Sequence, residues 1–475
     1  MNTTDKNELI QLFENHFNEK AESVEMLPAS GSYREYCRIK SHGRTVIGAC
    51  NADVKENTAF LAFTSHFKKN GLPVPAVFAV SADLKKYLLE DLGDTTLFDF
   101  LSATREKEGF SENIISEYKK VLQILPRIQI LAGKDLDYSV CYPRAAFDKQ
   151  SMMWDLNYFK YYFLKLAKIQ FDEQALEDDY QAFCEFLLSA ESDFFLYRDF
   201  QSRNVMLKNQ EVWFIDYQGG RRGALQYDLA SLLYDGKADI PESVRQQLFD
   251  FYVEELKKYI PVDDFRFAAY YKGFVLIRIM QAMGAYGFRG FYEKKEHFLK
   301  SIPFALKNLE YLLTDLNLPV ELPELVKVLN ELTQSEILKE IGRIKTNLTV
   351  TVNSFSYKKG YPADLSGNGG GHVFDCRALN NPGRYPELAV FTGKDIEIQQ
   401  FLEQKSEIGV FLNAVKQIVD QSVKVYLERE FTNLSLSFGC TGGRHRSVYS
   451  AEKMAEYLRN NYPVNVVVNH REMNG

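Results

Sequence analysis

The chain has 475 residues, which is too long for a single hydrophobic core, so at least two domains are expected. Its formal net charge of −7 argues against nucleic-acid binding over its whole surface. Hydrophobic residues make up 45% of the sequence and aromatic residues 14%, which is enough to build buried cores. The six cysteines are scattered without a C-x-x-C pair, a pattern that argues against a zinc site and against a disulfide scaffold.

The amino-terminal residues and the most apolar run bear on location. Residues 1–17 begin polar and become an amphipathic helix, without the basic-then-apolar order of a signal peptide. The apolar run 265–288 contains Arg266, Lys272 and Arg278, so it predicts a buried helix rather than a membrane span. We therefore expect a cytoplasmic protein without membrane contact.

The first 90 residues predict a small β-rich lobe. Strand-like runs near 23–27, 33–40 and 44–50 follow a first helix, and two more strands follow a second helix. A small-residue turn before residue 35 could place main-chain amides over phosphates, and the polar break after residue 90 predicts a hinge that pairs with adenine. The candidate nucleotide contacts are Gly31, Ser32, Tyr33, Arg34, Glu90 and Leu92.

From about residue 111 the pattern turns helical and predicts a larger, helical lobe. Apolar side chains recur on one face of the first of these helices, at Ile114, Tyr118, Val121, Leu122 and Leu125. The next helix, 152–159, is rich in aromatic residues, a pattern more typical of a core than of a substrate surface.

Three polar residues in this lobe have the spacing that phosphoryl transfer from ATP requires. Asp199 and Asn204 form a D-x-x-x-x-N pattern, and an apolar strand then ends at Asp216. A carboxylate beside the attacking hydroxyl can act as the base, and two further oxygen ligands can hold Mg²⁺. We predict Asp199 as the base and Asn204 with Asp216 as the metal ligands; a capping Asp and an ordinary strand end are the alternative.

Four other polar residues are candidates for binding the acceptor. They lie in or near segments that could face its cleft, although each could equally be a surface residue or an ion-pair partner. They are Asp155, Arg198, Arg203 and Arg289.

Four motifs carry a resemblance to a known family. They are Asp-Leu-Gly-Asp at 91–94, Arg-Asp-Phe-Gln-Ser-Arg-Asn at 198–204, Ile-Asp-Tyr-Gln at 215–218 and Tyr-Asp-Leu-Ala-Ser-Leu at 227–232. Together they resemble the aminoglycoside-phosphotransferase-like kinases, and among these the anomeric kinases of N-acetylmuramate and N-acetylglucosamine. The resemblance implies an α+β, protein-kinase-like bilobal fold. It also implies ATP- and Mg²⁺-dependent phosphorylation of the C1 hydroxyl of an amino sugar, as in cell-wall sugar recycling.

The sequence departs from that family at two positions. Tyr197 stands where many relatives have His, and the strand predicted at 44–50 lacks the lysine that kinases use to bind phosphate. Arg34 or Lys55 could replace that lysine.

A proline-punctuated stretch at 315–323 predicts the end of the first domain. Two short helical patterns follow, and strands then alternate with helices, including one helix from residue 396 to about residue 429, which predicts a compact α/β domain. We therefore predict a kinase-like domain at 1–315, a connector with short helices at 316–345 and a second domain at 346–475.

The second domain contains a glycine-bearing loop between a strand and a helix. Free amides at a helix start and neighbouring cations favour an anion there. The loop supplies the candidates Thr441, Gly442, Gly443, Arg444, His445, Arg446 and Ser447. The loop also matches C-x-x-x-x-x-R-S, the phosphate-loop motif of cysteine-dependent phosphatases. In that alternative the Cys440 thiolate would be the nucleophile.

This domain is similar to the carboxy-terminal domain of the RNase adapter protein RapZ. The similarity lies in the loop 439–447 together with 354–360, 374–377, 381–382 and 392–393. It implies binding of glucosamine-6-phosphate, with Asp375 and Arg377 among the contacts, and in some members binding of a small RNA. The chain has no P-loop, however, and its last residues are not a run of lysines, so sugar-phosphate binding is better supported than RNA binding.

Two hypotheses follow from these resemblances. The first is a sugar kinase whose second domain binds an amino-sugar phosphate. The second is an RNA-binding adapter in which the kinase fold senses a ligand without turnover.

Overall fold

A computed structural model describes residues 1–28, 34–341, 348–363, 371–429 and 431–473. The chain divides into two compact units, Met1–Arg343 and Ile344–Gly475. Among the helices so described, none combines the length and the apolar character needed to cross a membrane.

The first unit begins with a small lobe built on an antiparallel sheet. Five strands pair in the order β1-β2-β3-β5-β4. The elements are α1 (Thr3–Phe17), β1 (Ser23–Met26), β2 (Glu35–Ser41), β3 (Arg44–Cys50), α2 (Val54–Lys69), β4 (Val77–Val80) and β5 (Lys86–Glu90). Successive side chains of β5 face opposite sides of the sheet: Leu88 packs in the cluster that contains Leu9 of α1, whereas Tyr87 stacks on Phe60 of α2. Both helices therefore bury an apolar face against the sheet.

A helical lobe follows and carries two short strand pairs, β6 with β9 and β7 with β8. Its helices are α3 (Leu97–Glu108), α4 (Glu112–Pro126), α5 (Lys149–Phe159), α6 (Glu173–Leu188), α7 (Gln226–Leu233), α8 (Glu242–Leu256), α9 (Asp264–Tyr286), α10 (Glu296–Leu299), α11 (Ile302–Thr314), α12 (Pro323–Gln334) and α13 (Glu336–Glu340). Its strands are β6 (Phe194–Leu196), β7 (Val205–Lys208), β8 (Glu211–Phe214) and β9 (Arg221–Gly223). The predicted bilobal α+β fold is confirmed.

Two features of this lobe bear on the sequence predictions. The five apolar residues predicted on one face of α4 are all buried, as helical periodicity requires. The segment predicted as a connector differs from the expectation, because Leu325 and Leu329 of α12 belong to the core of the first unit. Asp179 of α6 accepts a hydrogen bond from the main-chain N–H of Leu325 at 2.8 Å and fixes the start of α12.

The second unit is an α/β domain, as predicted, and its sheet is parallel. The strands β10 (Thr349–Ser356), β11 (His372–Asp375), β12 (Asn433–Cys440) and β13 (Asn465–His470) pair in the order β11-β12-β10-β13. Its helices are α14 (Ile396–Lys405), α15 (Ile408–Glu428) and α16 (Arg446–Asn461). The single helix predicted from residue 396 to 429 is two helices, because Ser406 adopts an extended conformation and its Oγ donates to the carbonyl of Leu402.

Candidate functional site

The three residues predicted for phosphoryl transfer lie together in the first unit. The loop between β6 and β7 carries Asp199 and Asn204, and Asp216 lies just after β8. The Nδ2 of Asn204 donates to the main-chain carbonyl of Asp199 at 2.8 Å and to Oδ2 of Asp216 at 3.2 Å. This one amide therefore joins the candidate base to the candidate metal ligand and leaves its own oxygen for a cation.

The electrostatics of Asp216 fit a divalent cation. Burial raises the pKa of its carboxyl, the charge of Asp199 raises that pKa further, and the charge of Arg34 opposes the increase. Among the described residues no three His, Cys, Asp or Glu side chains converge as a metal site. Mg²⁺ commonly binds through one or two carboxylates, nucleotide phosphates and waters, so Asp216 and Asn204 fit that ion.

A buried carboxylate on α7, which the sequence analysis quoted only within a motif, supports the catalytic loop. Asp228 accepts hydrogen bonds from the main-chain N–H groups of Tyr197 at 2.9 Å and Arg198 at 3.1 Å, and from the side chain of Gln129 at 3.0 Å. It is 0% exposed, and burial raises its pKa to about 7 despite these donors. Asp228 thus fixes the two residues that precede Asp199.

Tyr197 connects the same loop to the strand before Asp216. Its side chain is buried, and its hydroxyl donates to the carbonyl of Ile215 at 2.5 Å. The main-chain N–H of Ile215 donates in turn to the carbonyl of Asn204 at 3.1 Å. These bonds fix the position of the loop relative to the metal-ligand candidates Asn204 and Asp216.

Two of the four predicted acceptor residues pair with each other. Arg198 donates to both carboxylate oxygens of Asp155, at 2.8 and 2.7 Å, and also to the hydroxyl of Tyr227. Arg198 has a φ of 81°, a conformation that non-glycine residues adopt only when the surroundings hold them there. The other two candidates have different neighbours: Arg203 packs over the Phe98 ring at 4.5 Å, and Arg289 lies 3.4 Å from Glu293.

Arg34 is the better placed of the two candidates for the missing lysine. It is buried, lies 3.0 Å from Glu56 of α2, and its charge opposes the raised pKa of Asp216. Lys55 is exposed and faces the ring of Tyr142 at 6.0 Å. The other predicted phosphate contacts, Gly31, Ser32 and Tyr33, lie outside the described residues.

The predicted hinge follows β5. Lys208 of β7 donates to the Glu90 side chain at 2.9 Å and to the Asp91 carbonyl at 3.0 Å, while Arg38 of β2 forms two bonds to the Asp91 carboxylate. Leu92 is buried at 6% exposure. Side chains from both lobes therefore fix the backbone at the predicted adenine position.

In the second unit the predicted anion loop lies at the carboxyl ends of parallel strands, where ligands of α/β sheets bind. Cys440 ends β12; its Sγ accepts from the Gly443 N–H at 3.2 Å and lies 3.1 Å from the Ser447 Oγ. Thr441, Gly442 and Arg444 are exposed, so the loop presents its first half and one cation to solvent.

Arg446 occupies a different position from the one expected of a phosphate ligand. Its Nη1 donates to the main-chain carbonyls of Arg377 and Leu379 at 2.9 and 2.8 Å, and its Nη2 lies 3.3 Å from the Thr441 hydroxyl. Arg446 is 3% exposed and braces the loop against the segment after β11.

Asp375 and Arg377 reach the same edge from β11, where they form a bidentate pair with each other. His445 lies on the far side, with its Nε2 2.8 Å from the carbonyl of Phe391, and burial lowers its pKa. Gly393 belongs to the motif 392–393 but was not among the residues predicted to contact the ligand. A Cβ on Gly393 would lie 2.3 Å from the His445 carbonyl oxygen, so only glycine allows this close approach.

Comparisons with known proteins agree with two separate domains. A model described as the phosphotransferase enzyme family matches residues 27–262, and a model described as the RapZ C-terminal domain matches residues 348–474. A nucleotide-binding protein of Endomicrobium trichonymphae is 32% identical over 151 residues, which are 30% of this chain and 50% of that protein. One of Thermodesulfovibrio yellowstonii is 37% identical over 132 residues, 28% of this chain and 44% of its own length. The chain thus spans half or less of these relatives.

Two choline kinases are among the solved structures to which this chain is similar. That of Streptococcus pneumoniae, LicA, is 15% identical with a TM-score of 0.42 and covers 65% of this chain and 100% of its own. That of Cryptosporidium parvum is 11% identical with a TM-score of 0.45 and covers 65% of this chain and 96% of its own. From the family models we conclude that the chain contains a phosphotransferase-family domain at residues 27–262 and a RapZ C-terminal domain at residues 348–474.

Proposed function

We propose that the first unit is an ATP-dependent sugar kinase that phosphorylates the anomeric hydroxyl of an N-acetylmuramate- or N-acetylglucosamine-type amino sugar. The observation that carries this proposal is the amide of Asn204, which joins Asp199 to Asp216 on a loop held by Asp228. A ligand sensor without turnover would not require this arrangement.

In this mechanism Asp199 accepts the proton of the sugar hydroxyl as its oxygen bonds to the γ-phosphorus of ATP, and ADP leaves. Asp216 and Asn204 would hold Mg²⁺, which supplies charge neutralisation on the phosphate oxygens. Arg34 adds a positive charge near Asp216, and Glu90 and Leu92 fix the backbone that would pair with adenine.

The test is ATP consumption by the purified chain over a panel of sugars, with and without Mg²⁺. We expect turnover with N-acetylated amino sugars, and the product should carry its phosphate on C1, as seen by ³¹P NMR. N-acetylglucosamine blocked at C1 serves as the matched control. Turnover that persists with blocked sugars would refute the anomeric assignment, and no turnover with any sugar would refute the kinase.

We also propose that the loop 439–447 of the second unit binds the phosphate of an amino-sugar phosphate such as glucosamine-6-phosphate without hydrolysing it. Thr441, Gly442 and Arg444 are exposed at the sheet edge, where amides and a cation are accessible to an anion. A cysteine phosphatase needs its signature arginine on the phosphate, but the Arg446 guanidinium is bonded to main-chain carbonyls.

Calorimetry with glucosamine-6-phosphate tests binding, and phosphate release by wild type and Cys440→Ser tests hydrolysis. We expect binding without release. Release that disappears in Cys440→Ser would establish a phosphatase instead. A gel shift with cellular RNA at low and moderate salt tests the adapter hypothesis, for which we expect no salt-resistant complex.

A further inference from the structure

Two cations beside the catalytic loop lack carboxylate partners. Arg203 lies on the loop between Asp199 and Asn204, is exposed, and packs over the Phe98 ring. Lys237 is half-buried, and among the described residues its Nζ donates one hydrogen bond, of 3.4 Å, to the carbonyl of His297. Within the described ranges of the chain, no Asp or Glu lies within 4 Å of either cation.

The fold brings these two side chains to the same place. The hydroxyl of Ser202, next to Arg203, donates to the Asp235 carboxylate at 2.7 Å, so the turn that carries Lys237 lies against the catalytic loop. Burial lowers the pKa of Lys237, the charges of Arg203 and Lys300 lower it further, and the nearby carboxylate of Asp235 opposes the decrease only in part. The pKa of His297 is also lowered, first by burial and then by Lys237 and other cations.

Placing these two cations close together is energetically unfavourable when no anion is bound between them. A half-buried ammonium has lost part of its hydration and gains little from one long bond to a carbonyl. A second positive charge nearby adds repulsion, which an anion between the two cations would relieve.

The cluster lies on the acceptor side of the reaction. Arg203 and Lys237 both belong to the helical lobe, whereas the candidate nucleotide contacts Arg34 and Glu90 lie in the small lobe and at the hinge. Arg203 is four positions after Asp199, so their Cα atoms are at most about 14 Å apart. A sugar whose hydroxyl meets Asp199 can therefore extend a substituent towards Arg203.

We propose that Arg203 and Lys237 recognise an anionic substituent, a carboxylate or a phosphate, on the sugar that Asp199 activates. This inference rests on the proposed kinase function and specifies its substrate class. Neutral amino sugars would bind through their ring alone, and the anionic ones would gain one or two charge-assisted hydrogen bonds.

The test compares three sugars that share a ring and a free C1 hydroxyl. N-acetylglucosamine is neutral, N-acetylmuramate adds a carboxylate, and N-acetylglucosamine-6-phosphate adds a phosphate. The readout is the ratio of kcat/KM for each anionic sugar to that for the neutral one. We expect Arg203→Gln and Lys237→Met each to lower the ratio about 10- to 100-fold for the anion that the site accepts.

The matched control is Lys307→Met, which removes one positive charge from an exposed lysine that pairs with Asp239 in the same lobe. It should leave the ratio within about 2-fold, because surface charges are screened by salt. An unchanged ratio in both Arg203→Gln and Lys237→Met would overturn the proposal.

Calorimetry with N-acetylmuramate and N-acetylglucosamine separates this inference from the kinase proposal. If no sugar is phosphorylated, the kinase proposal fails, but a preference for the carboxylate that is lost in Lys237→Met would still establish the anion site. Equal affinity of wild type for the two sugars, with no turnover of the 6-phosphate, would refute it.

Discussion

Removing the carboxylate of Asp228 should impair catalysis from a position that contacts no substrate. In Asp228→Ala, the main-chain N–H groups of Tyr197 and Arg198 lose their acceptor in a site that is 0% exposed. Each buried unsatisfied donor costs about 1–3 kcal/mol, so the intact loop geometry would cost about 2–6 kcal/mol. The loop would shift to reach water, and a displacement of about 1 Å at Asp199 can lower the rate about 10²-fold.

Steady-state kinetics and urea unfolding measure the two effects. We expect kcat to fall about 10²-fold in Asp228→Ala with little change in the KM for ATP. The matched control is Asp179→Ala, which removes another buried carboxylate that accepts a main-chain N–H but lies at the start of α12. It should lose stability and keep kcat within about 2-fold. Equal kcat in wild type and Asp228→Ala, with comparable losses of stability, would refute the positioning role.

The pH dependence of stability gives an independent check on Asp228. Its pKa in the folded state, about 7, lies above the ordinary value of about 3.9 for an unfolded Asp. The folded state therefore holds this proton more tightly, and its contribution to stability is lost as pH rises from about 4 to about 7. Because Asp228→Asn lacks this titration, the difference in unfolding free energy between wild type and variant should shrink over that range. A constant difference would contradict the raised pKa.

Three further predictions address individual residues. Asp199→Asn should lower kcat about 10²- to 10⁴-fold while calorimetry shows unchanged ATP affinity; unchanged turnover would remove it from the mechanism. Arg34→Met should raise the KM for ATP about 10-fold, because it removes a positive charge near the metal-ligand candidates, and an unaltered KM would exclude it as the lysine replacement. Gly443→Ala should weaken glucosamine-6-phosphate binding at least about 10-fold, because Gly443 has a φ of +70° and an added Cβ would lie 2.3 Å from the Cγ of Glu472. The control is Gly409→Ala, since an added Cβ would meet no atom within 4 Å there.

The sequence predicted the residues whose chemistry is local. Asp199 and Asn204 lie five positions apart on one loop, and Asp216 follows the next hairpin, so a short-range pattern was enough to identify them. The strand-loop-helix pattern around Gly443 was likewise local, and the structure has a strand before it and a helix after it.

Interactions between distant segments were not predictable in this way. The bonds from Tyr197 and Arg198 to Asp228 span about 30 residues, and nothing in the spacing of an Asp on an apolar helix shows that it accepts them. The same limit applies to Arg446, whose carbonyl partners lie nearly 70 residues earlier in the chain. The positive charge of Arg446 at a helix start predicted a ligand contact. The structure shows in addition that its buried guanidinium donates to the carbonyls of Arg377 and Leu379.

Tyr197 has a consequence for the conditions under which this enzyme would work. A histidine at this position would change charge near neutrality, and the hydrogen bond beside the base would then depend on cellular acidity. Burial raises the pKa of Tyr197 well above that of an ordinary tyrosine, so its hydroxyl stays protonated and keeps donating to Ile215. The hydrogen bond between Tyr197 and Ile215 should therefore persist as the pH rises. In a pH–rate profile, this position should add no ionisation between about pH 5 and pH 9.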